Sequence, residues 1–242
     1  LNSVFVPLRS MIERYSITAS PAKLGERFGT DVLDNYAPNF NAAPTQLLPV
    51  ITAASSQGIS TFYWGTSPEW SKNKALSEKI INIRSESILE KPMLKKGIMR
   101  NRCLVPADGF YAWRKLGKKT SIPYRLITND QDLFSFAGLW EEFEDTEGNE
   151  LHTFSVITVE STGIVATIHE RMPVIFNREQ EEIWLDKHSS EDELMALLMP
   201  YPPSRMNHYP VSPSINNANT NLPSLIKPTP PADQFGNLTL FD

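Results

Sequence analysis

The run Thr167-Ile168-His169-Glu170-Arg171-Met172-Pro173-Val174 sets three ionisable side chains in a row between apolar ones. An imidazole moves protons near neutral pH. A guanidinium next to it grips a phosphate through two parallel donors. The run follows a strand-like segment, Thr153 to Val159. An apolar strand leading into His-Glu-Arg either ends in solvated charge, which is common, or faces a site. The choice between these rests on the remainder of the chain.

Four other segments carry polar residues where a core strand would be apolar. They are Phe40 to Thr45, Tyr63 to Trp70, Ile80 to Ser87 and Arg102 to Trp113. Asn82 and Arg84 alternate with isoleucines, so they share one face of a strand, and that face is not plain core. Trp70, next to Ser71-Lys72, could stack a base or cap the core. No G-x-G-x-x-G, P-loop, G-x-S-x-G or H-E-x-x-H pattern occurs. Four histidines (His152, His169, His188, His208) and one cysteine, Cys103, leave no basis for a metal centre or an internal disulfide. No cofactor is expected.

The elements that must position these groups are mostly strands. Candidates are Leu47 to Thr52, Thr61 to Trp64, Cys103 to Val105, Gly109 to Trp113, Tyr124 to Thr128, Phe134 to Trp140, Thr153 to Val159 and Pro173 to Phe176. Helix signals cluster at the two ends. Ser20-Pro21 supplies an N-cap and a first-turn proline, with Gly29 closing the segment. Asn177-Arg178-Glu179-Gln180 and Ser190-Glu191-Asp192-Glu193 read as capping boxes. The pattern predicts an α+β fold: one domain with a mostly antiparallel, barrel-like sheet flanked by a few helices. The Pro- and Asn-rich stretch after Pro200 is expected to wrap the surface or stay disordered.

The chain has 242 residues and a net charge of −5, which at first argues against a nucleic-acid partner. The distribution argues the other way. Lys72 to Lys119 holds thirteen basic and four acidic residues, a balance of +9 against −14 for the rest. Such segregation can give an acidic protein a positive face. No apolar run approaches a membrane span, and the first ten residues lack a signal-peptide pattern, so a cytoplasmic protein with no membrane contact is expected.

Taken in order, the motifs resemble the SOS-response-associated peptidase (SRAP) family of abasic-site processing proteins. They are Asn41-Ala42-Ala43-Pro44, Phe62-Tyr63-Trp64-Gly65 with Pro68 and Trp70, Asn82-Ile83-Arg84-Ser85-Glu86, Arg102 to Trp113, Ala137-Gly138-Leu139-Trp140-Glu141, Ile168 to Pro173, and Pro210-Val211-Ser212. The resemblance covers Met11 to about Asn217. It implies an extension over 1–10, an SRAP-like domain over 11–217 and a tail over 218–242. It further implies single-stranded DNA binding in the DNA damage response and capture of the ring-opened abasic aldehyde. In the family an N-terminal cysteine closes a thiazolidine on that aldehyde. By the same resemblance Asn82 and His169 would be catalytic, holding the amine and moving protons. Arg14, Arg84 and Arg171 would contact phosphates, Pro44 and Trp70 would shape and stack the flanking bases, and Thr158 would line the pocket.

Two positions depart from the family pattern. Its opening M-C-G-R reads Met11-Ile12-Glu13-Arg14 here, and the glutamate of G-F-Y-E-W is Ala112. Ile12 cannot form a thiazolidine, nor can it support the self-cleavage through cysteine by which family members remove upstream residues. Cys103 lies in an apolar strand and reads as a core thiol. The expectation is a monomer that recognises abasic single-stranded or gapped DNA without a stable covalent bond. Two alternatives stay open: an active crosslinking enzyme whose functional N-terminus differs, and a protein-interaction module on the same scaffold.

Overall fold

The structure, a computed structural model, describes residues 12–31, 34–52, 58–65, 81–117, 120–144 and 150–239. Among these residues the strands are β1 (Tyr15–Ile17), β2 (Asn39–Ala42), β3 (Leu47–Thr52), β4 (Ser60–Trp64), β5 (Asn82–Arg84), β6 (Arg102–Ala107), β7 (Gly109–Lys115), β8 (Ser121–Thr128), β9 (Phe134–Glu144), β10 (Glu150–Glu160), β11 (Arg171–Pro173), β12 (Ile175–Phe176) and β13 (Met206–Pro210). The helices are α1 (Pro21–Phe28), α2 (Glu86–Glu90), α3 (Pro92–Arg100), α4 (Gly163–Ala166), α5 (Arg178–Leu185) and α6 (Glu191–Ala196).

Five strands close on themselves in the order β10-β4-β3-β6-β9 and back to β10. The joins are antiparallel except β10–β4. Closure leaves this part of the sheet without a free edge, and Thr153 to Val159 are buried on both faces of β10. The chain crosses from one strand to another at Val174. Pro173 of β11 pairs with β10, whereas Ile175 of β12 pairs with β9. Val174 N–H donates to Ile157 O, and its carbonyl accepts from Ala137 N–H. Pro173 to Phe176 is therefore two short strands rather than one. Gly138 allows the close strand approach: a Cβ there would sit 2.8 Å from Cys103 Sγ and 3.2 Å from Ser155 O.

A second sheet runs β13-β8-β7-β1-β2. A buried polar knot holds β1 against β7 and β8. Asp108 Oδ1 accepts from Ser16 Oγ at 2.6 Å and Arg125 Nη2 at 2.8 Å, and its Oδ2 accepts from Thr18 Oγ1 at 2.7 Å. This explains the acid inside the Arg102 to Trp113 segment: a buried charge persists when it is paired and fully hydrogen-bonded. Of the two expectations for the stretch after Pro200, the described residues show the wrapping one. Met206 to Pro210 pair along β8, Leu225 is buried beside Tyr111 and Trp113, and Asn41 Nδ2 donates to the carbonyls of Asn217 and Thr220, both at 3.0 Å.

The three helix starts legible from caps are present. Ser20 Oγ accepts from Lys23 N–H and Gly29 takes φ +63°, and the capping boxes at Asn177 and Ser190 are complete. Helices α2 and α3 were not anticipated. Their buried anchors, Ile88 and Ile98, are widely spaced, while Leu89, Met93 and Met99 face solvent, which blurs the helical periodicity.

Candidate functional site

The His169 run does not end β10. Helix α4 intervenes, and His169 and Glu170 form the turn that enters β11. His169 N–H donates to Val165 O at 2.9 Å. The ring's Nδ1 lies 2.8 Å from Arg171 O and 3.1 Å from Arg171 N. A protonated Nδ1 donates to the carbonyl, and a bare Nδ1 accepts from the amide. The ring thus keeps a partner at Nδ1 in either tautomer, which suits a group that passes protons.

His169 lines a cleft of about 40 Å³. The opposite wall is the β7–β8 hairpin, with Tyr111, Ala112, Trp113, Lys115 and Ser121, and the third side is Ile12 and Glu13. Its size suits the reactive end of a ligand rather than a whole nucleotide. Ile12 is 1% exposed, and its carbonyl accepts from Asn82 Nδ2 at 2.7 Å. Asn82 is 6% exposed and stands opposite Val156 in the parallel β5–β10 pair. Its Oδ1 is buried with no hydrogen-bond partner among the described residues. A buried acceptor left open costs about 1–3 kcal/mol, so the site holds an unmet demand for a donor.

The same parallel pairing sets Arg84 opposite Thr158. Arg84 is exposed. Arg171 is 5% exposed, and its two terminal nitrogens donate to Glu86 Oε1 at 2.7 Å and Oε2 at 3.0 Å. Nη2 also donates to Thr158 O at 2.5 Å. Arg171 is thus engaged in tying β10 and β11 to α2. Arg14 is half-buried, and its Nη1 donates to Glu13 O at 2.7 Å. Pro44 sits in a turn that Thr45, at φ +69°, makes tight. Thr45 N–H donates to Trp64 O, and Trp64 N–H to Gln46 O. Trp64 Nε1 donates to Ile81 O at 2.8 Å, and Gly65 N–H to Phe154 O at 2.8 Å. Residues 65 and 81 are thereby pinned side by side; Trp70 falls outside the described residues.

Cys103 is fully buried in β6, and burial pushes its thiol well above the usual range. It is a packing residue. Among the described residues no group of three or more His, Cys, Asp or Glu could hold a metal ion, and no helix is long and apolar enough to cross a membrane.

The hydrogen bonds to Arg171 hold the Glu86 carboxyl below its ordinary range. The pair therefore contributes stability above the ordinary carboxylate pKa, and that contribution is lost as pH falls through the depressed value in the folded protein. Melting temperatures measured from pH 6 down to pH 3 should fall less steeply in Glu86→Gln than in the parent. Identical slopes would show that this pair does not contribute to the acid response.

Residues 11–218 match the family model for SOS response associated peptidase (SRAP). The chain belongs to the SRAP family. It is 37% identical over 222 residues to abasic site processing protein YoqW of Bacillus subtilis, covering 90% of this chain and 99% of that one. It is 29% identical to abasic site processing protein HMCES of Rattus norvegicus, over 81% of this chain and 66% of that protein. A crystal structure of a Bacteroides thetaiotaomicron protein superposes with a TM-score of 0.79 at 29% identity, covering 89% of this chain and 99% of the other. The closed barrel with its added strands and helices is thus an SRAP fold. Within this SRAP domain the structure brings Ile12, Ala112 and His169 to one cleft, with Asn82 bonded to the Ile12 carbonyl and Arg84, Thr158 and Arg171 on β5, β10 and β11. Sequence reading did not find Glu13, Lys115, Tyr111 and Ser121 as cleft residues, nor Glu86 as the partner of Arg171. Glu86 had a signal, standing two residues after Arg84 in the same polar segment, and Tyr111 and Glu13 lie inside motifs already singled out.

Proposed function

We propose that this SRAP-family protein binds single-stranded or gapped DNA at abasic sites, and that it does so without the thiazolidine bond of the family. The observation that carries this reading is the state of residue 12. Its carbonyl accepts from Asn82, and it lines a cleft together with His169, yet its side chain is a buried branched alkyl group. The Asn82 and His169 contacts support the recognition half of this reading, and the alkyl side chain supports the loss of the thiazolidine. In this reading Arg84 and Arg14 meet the phosphates flanking the lesion, while Pro44 and Trp70 shape the path of neighbouring bases. Asn82 offers its open Oδ1 to a sugar hydroxyl or amine, and His169 exchanges a proton with the opened sugar. Arg171 and Thr158 act from behind, by holding β10, β11 and Glu86 in register. Arg84, Lys91, Lys96, Arg100 and Lys115 are exposed and carry the basic segment's positive charge to the surface.

Fluorescence anisotropy with an abasic single-stranded oligonucleotide tests the reading. Affinity should fall steeply as salt rises, and Arg84→Ala should weaken binding and reduce the salt slope by about one. No binding at low salt would overturn it. A protein-interaction module has its own support in the solvent-facing Leu89, Met93 (75% exposed) and Met99 of α2 and α3. It would become the better account if DNA binding is absent.

A further inference from the structure

We infer that the outer face of α2 and α3 is a docking surface for an acidic protein segment whose carboxylates alternate with apolar side chains. This goes beyond the DNA reading and does not depend on it. Lys91, extended at φ −112° and ψ 112°, turns the chain between the two short helices. Their inner sides are fixed. Ile88 and Ile98 are buried, and Leu94 packs partly buried against the core. Gly97 lies against β9, where an added Cβ would meet Leu139 Cδ1 at 3.3 Å. Leu94, Gly97 and Ile98 thus define the inward arc of α3, at i, i+3 and i+4. The outward arc holds Met93, Lys96 and Arg100, at i, i+3 and i+7, with Met99 three positions after Lys96. All four are exposed, as are Leu89 and Lys91 at the corner between the helices. Among the described residues Lys91, Lys96 and Arg100 take part in no ion pair. Lys95 does, with Glu191 of α6 at 2.9 Å, and that pair bounds the patch on one side.

A single exposed apolar residue needs no partner. Leu89, Met93 and Met99, interleaved with Lys91, Lys96 and Arg100 on one corner, form a patch. Glu90 is the acid exposed between them, so the corner stays cationic. Two chemistries alternate here, and the alternation selects the partner. Methionine adapts its shape to a partner's apolar side chains, and methionine and arginine are enriched where proteins meet. The three cations attract carboxylates set between those apolar contacts. Charge complementarity therefore favours an acidic segment over a neutral one. The thioethers favour a protein over a phosphate backbone, which offers them no apolar surface. Helix α3 has 9 residues and a length of about 14 Å. That is room for one short segment rather than a globular face. The contact falls well below the roughly 1,200 Å² of a standard interface, so it is weak and transient.

The test is fluorescence anisotropy of the full chain with a short labelled peptide in which aspartates alternate with leucine and phenylalanine. The expected result is micromolar binding that weakens as salt rises. Met93→Ser and Lys96→Glu should each weaken it at least tenfold with the melting temperature unchanged. The same peptide with serine in place of every leucine and phenylalanine should bind at least tenfold less well than the original. Lys227→Glu, at an exposed position on the C-terminal stretch, should bind like the parent. No binding at low salt would overturn the proposal. Equal binding of the serine peptide would reduce the face to bulk charge and overturn it too. Binding undiminished in Met93→Ser and Lys96→Glu would place the peptide elsewhere. If abasic single-stranded DNA displaces the peptide and itself loses tenfold in both variants, the face belongs to the nucleic acid instead. If phosphatidylserine vesicles bind through Met93 and the peptide does not bind, it belongs to a membrane surface. Peptide binding by a chain that fails to bind DNA at low salt would remove the DNA reading and leave this inference standing.

Discussion

A chain that begins at Met11 and carries Ile12→Cys and Ala112→Glu should form a crosslink to abasic single-stranded DNA that survives a denaturing gel without borohydride. The parent should form none. The frame for the exchange already exists. Asn82 holds the residue-12 carbonyl at 2.7 Å, and Ala112 and His169 line the same cleft. Removal of Met11 would place an amine beside the new thiol, and an amine and thiol on adjacent carbons close a thiazolidine on an aldehyde. Cysteine is smaller than the isoleucine it replaces, so the substitution leaves a small void rather than a clash. Ala112→Glu is the more demanding change, because extra atoms in a packed wall cost about 1–3 kcal/mol. Ile12→Cys alone should therefore be compared with the pair. Failure to crosslink, in a protein that still folds and still binds DNA, would show that the rest of the site has drifted as well as residues 12 and 112.

What could be read from the chain depended on whether the signal was local. Ser20-Pro21, Asn177 and Ser190 announce helix starts because caps and capping boxes are chemistry within one turn, and all three helices are present. The barrel strands were legible because β-branched and aromatic residues cluster in them, and in β10 the run Thr153 to Val159 is buried throughout. Helices α2 and α3 were missed because their outward faces carry Leu89, Met93 and Met99, which hide the buried pair Ile88 and Ile98. Val174 hides its change of partner, since one apolar segment serves two ladders. The site followed the same division. Asn82 and Arg84 stood out by strand alternation. The partner of Arg171 did not, because Glu86 lies 85 positions away in the chain, and sequence alone does not reveal whether an arginine meets a phosphate or a carboxylate. Lys115 sits in a lysine-rich hairpin turn that composition marks as solvent, and only the fold brings it to the same cleft as His169.

Arg102→Met should lower stability by about 3 kcal/mol or more, the scale for stripping a buried charged group of its partners or its partners of it. For a domain of this size that is a fall of about 6–12 °C in melting temperature. Arg102 is 2% exposed. Its three guanidinium nitrogens each donate to a backbone carbonyl: Nε to Trp184 O at 2.5 Å, Nη1 to Ile98 O at 2.6 Å and Nη2 to Asp186 O at 2.7 Å. Those carbonyls lie at or beside the C-terminal ends of α3 and α5, where helix dipoles concentrate negative charge and acceptors lack partners within the helix. One planar cation thus satisfies two helix ends and anchors both to β6. Methionine preserves much of the volume but offers no donor, so three acceptors lose their partners at once. Arg102→Lys should rescue little, since an ammonium on a flexible stem does not reproduce the planar fork. Arg100→Met, at an exposed position two residues earlier, should stay within about 0.5 kcal/mol of the parent. A melting temperature for Arg102→Met within a degree of the parent would overturn the anchoring role. Because Arg102 does not line the cleft, the variant should still bind abasic DNA well below its melting temperature. Loss of binding in a folded sample would mean that the helix anchors and the cleft are energetically coupled, with α2 and its Glu86–Arg171 pair as the connecting element.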